Sequence, residues 1–187
     1  MTNIEKDKLE MLLRFYEYVL HRRDPYEDGH GRRVAILALQ LARKMEYPPG
    51  FLMQLYYAAR LHDVGKLKLP VDLLNKQILT KYEIDEVRGH VMEGFLLFQK
   101  LGINGLMLRT IAESHENYDG TGYPMNKAGT DIYDGARIVR ICDTYDALTS
   151  TRPYGKRLLQ AETIAEMETC AAWYDPIMLK AFREMMI

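Results

Sequence analysis

Two cysteines among 187 residues, Cys142 and Cys170, cannot make a disulfide framework, and neither stands at a metal-ligand spacing. Both read as reduced residues in or near a core. A formal net charge of −1 gives none of the one-sided field that draws a nucleic-acid polymer or an acidic membrane surface. A small anionic substrate remains compatible, because it needs only a local cationic pocket. No stretch approaches the ~20 apolar residues of a membrane span. The mixed-charge N-terminus lacks the apolar run of a secretory leader, so a cytoplasmic protein is expected. Two-residue alternation and internal repeats are also missing, which argues against a sheet or a solenoid. The remainder, 48% hydrophobic and 27% charged, suits one globular domain with a substantial core.

Helical periodicity dominates what is there. A first helix runs from about Ile4 to His21, with Leu9, Leu12, Tyr16, Val19 and Leu20 on one side, and Asp24-Pro25 breaks it. The second carries His30 and stops before Pro48-Pro49-Gly50. The third, from about Phe51, delivers His62, Asp63 and Lys66 and ends at Pro70. Thr80-Lys81-Tyr82-Glu83 reads as a capping box opening the helix that carries His90. Further helices run from Leu106 to Glu116, Gly135 to Thr149, Ala161 to Trp173 and Pro176 to Met185. A long Gly-rich loop with Pro124 spans Asn117 to Ile132; its place directly after His115 favours a functional role. The eleven methionines follow helix stripes as core filler. The expected fold class is all-α.

Four histidines and an aspartate then stand out. His30 lies on a stripe with Val34, Leu37 and Leu41; His62 with Leu52, Leu55 and Ala59; His90 with Val87, Gly94, Leu97 and Leu101. His115 follows Leu108, Ile111 and Ala112, and Asp143 sits among Ala136, Val139 and Ala147. Residues at such spacing share a face, and an apolar face points inward. Burying an unpartnered polar group costs roughly 2–7 kcal/mol, so five in one interior point to a shared metal cluster. His21, beside Arg22 and Arg23, reads by contrast as solvated. Asp63 can bridge two ions while His62 ligates one. Lys66, three residues beyond Asp63 and four beyond His62, shares their side and offers a fixed cation to a phosphate.

His30, His62-Asp63 and Asp143 reproduce a His…His-Asp…Asp order, and here the sequence resembles the HD superfamily of metal-dependent phosphohydrolases. The run Glu116-Asn117-Tyr118-Asp119-Gly120-Thr121-Gly122-Tyr123-Pro124 is similar to the loop that names the HD-GYP subfamily, and His62-Asp63-Val64-Gly65-Lys66 to its HDxGK motif. Ala136-Arg137-Ile138, Asp143 to Leu148, Arg152-Pro153-Tyr154 and Tyr174-Asp175-Pro176 extend the likeness in order. It covers about Asp24 to the C-terminus. The resemblance implies an HD-domain helical bundle over 24–187 with a long GYP-type loop. The helix over 1–23 then packs on the bundle or forms a dimer contact. Family members often follow a sensor or receiver domain, and none is expected from that short helix.

The activity implied is a cyclic di-GMP phosphodiesterase with a two- or three-metal site. The resemblance gives one ion to His30, His62, Asp63 and Asp143, and a second to Asp63, His90 and His115. It departs from the family at Ser114-His115, where two histidines are usual. A serine hydroxyl is a poor ligand beside an imidazole, so the second site keeps a carboxylate, two histidines and a water. A third ion has no assignment, and Glu27 and Asp28 are only nearby acids. The mixed imidazole and carboxylate set suits Fe or Mn, with Zn, Co or Ni able to occupy it. A metal-bridging hydroxide would attack phosphorus opposite the ribose 3′ oxygen, giving the linear dinucleotide and then GMP, with Asp63 and Lys66 as the catalytic pair. Lys66, Gly122, Tyr123, Pro124, Arg137 and Arg152 are the candidate contacts to a cyclic dinucleotide. Gly120 and Gly122 equally suit a plain turn, and Arg137 and Arg152 equally suit structural salt bridges. Two alternatives stay open: a nucleotide sensor or protein-interaction module without turnover, and a hydrolase of another (cyclic di)nucleotide.

Overall fold

The computed structural model describes residues 3–23, 29–103, 105–150 and 157–186. Among these the α-helices are α1 (Asn3–Arg23), α2 (His30–Lys44), α3 (Pro49–Leu61), α4 (Val71–Leu74), α5 (Lys81–Arg88), α6 (His90–Lys100), α7 (Leu106–Glu113), α8 (Asp134–Thr149), α9 (Gln160–Thr169) and α10 (Pro176–Met186). Short 3-10 turns occupy Val64–Lys68, Gly129–Asp131 and Ala171–Trp173. No strand occurs among the described residues, and no described helix is long and apolar enough to cross a membrane. Asp24-Pro25, Glu27, Asp28, Arg152 and the side chain of His21 lie outside the described residues.

Two apolar clusters meet on α3. One joins Val34, Ala38, Leu41, Leu55, Ala59, Ile138, Val139, Met178 and Phe182, drawn from α2, α3, α8 and α10. The other joins Leu9, Leu13, Tyr16 and Leu20 of α1 to Tyr57, Ala58, Leu61, Val64, Phe98 and Ile111. Alternate sides of one short helix thus serve both, and each fully buried Leu or Phe contributes about 1.5–3 kcal/mol. The end of α3, where His62 and Asp63 follow, lies at the seam between them. The other side of α1 leaves Met11, Phe15 and Tyr18 exposed at i, i+4 and i+7.

Local signals place most helix starts. Pro49 takes the first turn of α3, where its missing N–H breaks no bond. Thr80 accepts from the Glu83 amide, and the Glu83 carboxylate accepts from the Thr80 amide at 2.9 Å, the reciprocal capping box. The helix expected from Ala161 to Trp173 ends at Thr169, ahead of the 3-10 turn Ala171–Trp173, and three boundaries near the candidate centre also differ from the periodic reading. The helix carrying His62 ends at Leu61, so Lys66 rides a 3-10 turn. The capped helix stops at Arg88, and His90 begins a new one after Gly89. The helix before His115 ends at Glu113. Tertiary contact explains the first two of these three. A Cβ on Gly65 would lie 1.8 Å from the His90 carbonyl oxygen, so this turn presses its backbone onto the first turn of α6.

Candidate metal centre

The centre is therefore built at helix termini. His30 is the first residue of α2, His90 the first of α6, His62-Asp63 follow α3, and His115 follows α7. Only Asp143 sits mid-helix, in α8. Hydrogen bonds orient three of the rings. His62 Nδ1 donates to the Ala59 carbonyl at 2.8 Å and His90 Nδ1 to the Val87 carbonyl at 2.6 Å. His30 Nδ1 donates to Asp146 Oδ2 at 2.8 Å. A carbonyl can only accept, so the proton sits on Nδ1 and the Nε2 lone pair faces inward.

Asp63 divides the cluster. Its Oδ2 lies 3.9 Å from His30 Nε2 and 3.5 Å from His62 Nε2, and Asp143 Oδ1 lies 3.2 and 3.8 Å from the same two nitrogens. Its Oδ1 lies 3.0 Å from His90 Nε2 and 3.4 Å from His115 Nε2, which are themselves 3.2 Å apart. One carboxylate thus presents a separate oxygen to each pair of histidines. Donors about 2.0–2.2 Å from a common ion stand roughly 3 Å apart, so these spacings fit ligation. The donor atoms of His30, His62 and Asp143 all lie within 4.8 Å of one another, as do those of His62, Asp63 and His115. His62 Nε2 is buried with no hydrogen-bond partner, an orphan that an ion would satisfy. The residues present fit a metal site.

Charge agrees with geometry. Burial alone would raise the Asp63 carboxyl, but His62, Lys66, His115 and His90 hold it well below the usual carboxylate range. Asp143 is likewise held well below that range by His30 and His62 against the pull of burial. Burial pushes the His115 imidazole down to about 4, so it is neutral and ready to ligate at pH 7. Lys66 Nζ lies 2.6 Å from Asp63 Oδ2. His30, His62 and His90 are almost sealed, whereas Asp143, His115 and Lys66 side chains keep 15, 13 and 16% of their surface, which marks the open side.

The long loop is held by two carboxylates. Glu116 accepts from the Met125 and Lys127 amides at 2.6 and 3.1 Å, and Glu113 accepts from the Tyr133 amide at 2.6 Å. Gly122 is buried against the chain itself: a Cβ there would lie 2.1 Å from the Asn117 amide nitrogen. Its close approach is to the loop's own backbone. Tyr123 stacks on His115, 5.1 Å between centroids at 4°. Burial and the neighbouring Asp63 raise its phenol to about 12, so it stays a donor at neutral pH. Pro124 follows, partly exposed. Arg137 bonds the Ile132 carbonyl, Asp134 and Asp175, the structural salt-bridge arrangement, and Arg152 lies outside the described residues. Ser114 is buried, its hydroxyl donating to the Ile111 carbonyl at 3.0 Å.

One residue escaped the sequence reading. Asp146 is buried, receives His30 Nδ1, and takes a two-pronged guanidinium from Arg33 at 2.6 and 2.9 Å. Its signal was present, since it lies three residues after Asp143 on the same face of α8. His30 and Arg33 hold its carboxyl below the usual range against burial. Asp146→Asn is expected to weaken metal binding about 10- to 100-fold by loosening the His30 tautomer, with the fold intact; calorimetric metal titration checks it.

Comparison with known proteins agrees. The HD domain family matches residues 14–178. This chain belongs to the HD-domain family. It is 37% identical over 161 residues to a cyclic di-GMP phosphodiesterase of Pseudomonas aeruginosa, covering 85% of this chain and 39% of that one. It is 32% identical over 161 residues to a 3′3′-cGAMP-specific phosphodiesterase of Vibrio cholerae, covering 86% of this chain and 35% of that one. Among solved structures, a cyclic GMP-AMP-specific phosphodiesterase of V. cholerae superposes with a TM-score of 0.70 at 15% identity, over 94% of this chain and 48% of that one. That likeness concerns the fold alone. The HD-domain chain spans less than half the length of these curated relatives.

Proposed function

We propose that this HD-GYP chain is a metal-dependent phosphodiesterase that hydrolyses cyclic di-GMP to the linear dinucleotide and on to GMP. The observation that carries it is the division of Asp63, with one oxygen towards His30, His62 and Asp143 and the other towards His90 and His115. Two ions are the natural complement, held by His30, His62, Asp63 and Asp143 on one side and by Asp63, His90 and His115 on the other. Fe or Mn suits these donors, with Zn, Co or Ni as competitors. Ions bound there would lower the pKa of a water and polarise a phosphoryl oxygen. The protein's own groups do the rest. Lys66 places a fixed positive charge at the open side, where the phosphate oxygens gain charge. Tyr123, protonated and stacked on His115, presents a hydrogen-bond donor and a wall. The nearly sealed His30, His62 and His90 keep bulk water from the inner side of the cluster.

Hydrolysis of cyclic di-GMP after reconstitution with ferrous or manganous ion, followed by chromatography of products, tests this. Product is expected with metal and none after chelation. Tight binding without product under both reconstitutions would favour the sensor reading that Ser114 motivates. The V. cholerae relative supports 3′3′-cGAMP as a second substrate, assayed alongside. A cytoplasmic location and the absence of a nucleic-acid polymer partner belong to the same proposal. So does a homodimer over the exposed Met11, Phe15 and Tyr18 stripe of α1, whose opposite side packs on the bundle. Light scattering is expected to give twice the chain mass, falling to one chain for Phe15→Glu; a wild-type monomer removes it.

A further inference from the structure

A cyclic dinucleotide is a ring closed by two phosphodiesters, so while one lies at the Asp63 centre the other must keep its full charge outside it. The cations around the centre are mostly committed. Lys66, 2.6 Å from Asp63, serves the phosphate at the centre itself. Arg137 is tied to Asp134 and Asp175. Arg140 donates to Asn117 and Thr144 at 2.9 and 2.8 Å and lies against Trp173 and Tyr174. Arg109 is paired with Glu113 at 3.1 Å.

Arg88 differs. It ends α5, two residues before His90, and its guanidinium carbon lies 5.1 Å from the centroid of the Tyr123 ring. That ring in turn stacks on His115. Arg88 is thereby placed beside the histidine cluster, one aromatic ring removed from it. Its side chain is 52% exposed, and its ion pair is a loose one, 3.6 Å from Asp85, which is itself exposed. Such a pair contributes little and gives way to a stronger anion. A guanidinium offers a planar fork of donors that matches phosphate, and the aromatic face limits the freedom it loses on binding.

We propose that Arg88 binds the second, uncleaved phosphate of a cyclic dinucleotide, with the Tyr123 ring as the spacer between that phosphate and the one at the Asp63 centre. The inference rests on the phosphodiesterase reading and deepens it. It makes Arg88 a specificity-determining contact that selects substrates with two phosphates over simple phosphodiesters.

The test uses Arg88→Ala and Arg88→Lys in the full chain with bound metal, assayed on cyclic di-GMP and on bis(p-nitrophenyl) phosphate, which has a single phosphodiester. For Arg88→Ala the KM for cyclic di-GMP is expected to rise about 10- to 100-fold, the scale of losing a charge-assisted bond to phosphate. Its kcat should change by less than about threefold. The KM shift on cyclic di-GMP should exceed that on the single diester at least about tenfold, and Arg88→Lys should recover part of it. An unchanged KM for cyclic di-GMP, or equal shifts on both substrates, overturns the assignment while leaving the phosphodiesterase reading in place. A wild-type protein that neither binds nor cleaves any cyclic dinucleotide, yet cleaves the single diester, overturns both.

Discussion

Asp63→Ala is expected to abolish turnover, lowering kcat by about 10⁴-fold or more, the scale on which a metal-activated nucleophile contributes. Among the described residues Asp63 is the one side chain with an oxygen towards each pair of histidines, so its loss should empty both sides at once. Metal per chain, by elemental analysis, should fall towards zero. Asp63→Asn keeps the volume and separates charge from shape. It removes one anionic oxygen and should also lose the ions, because an amide is a weak ligand for these cations. Far-ultraviolet circular dichroism should show the same helical content, since the two apolar clusters do not contain this residue. Retention of both metal and activity in either variant would falsify the proposed centre.

Lys66→Ala should separate binding of the ions from the chemistry. The ammonium sits 2.6 Å from Asp63 Oδ2 and is not itself a ligand, so metal content should persist. The loss is expected in kcat, about 10²–10³-fold, as for removal of one charge-stabilising donor from a preorganised site. Lys66→Arg should recover part of it, because the charge returns on a broader group. A rise in KM alone, with kcat preserved, would reassign Lys66 to ground-state binding.

Much of the architecture is legible in the residues themselves. Pro49, the Thr80 to Glu83 box and the Pro176 start mark helix boundaries through local chemistry, and the apolar stripes give the faces. The same stripes picked out the four histidines and Asp143, the five residues grouped with Asp63. What periodicity does not encode is where a helical hydrogen-bond ladder stops. His62, Asp63 and His115 lie just past helix ends because the chain turns there to meet other segments, as Gly65 does against the His90 carbonyl. Asp146, despite its spacing from Asp143, and Arg88 escaped the sequence reading for a related reason. Each is an ordinary charged residue on its own helix, and only tertiary placement sets one behind His30 and the other over Tyr123. Gly122 shows the reverse case, a motif glycine whose bare backbone faces its own loop.

The side chains that converge on Asp63 come from positions as far apart as 30 and 143, on five separate stretches of chain. Such a meeting scarcely exists in an unfolded polypeptide, so an ion that settles there recognises the native molecule almost exclusively. Mass action then makes the cation a clasp: each hundredfold excess over its dissociation constant adds about 2.7 kcal/mol to the resistance against unfolding. The supply of the proposed metal ion would in this way govern how long the molecule survives as well as how fast it works.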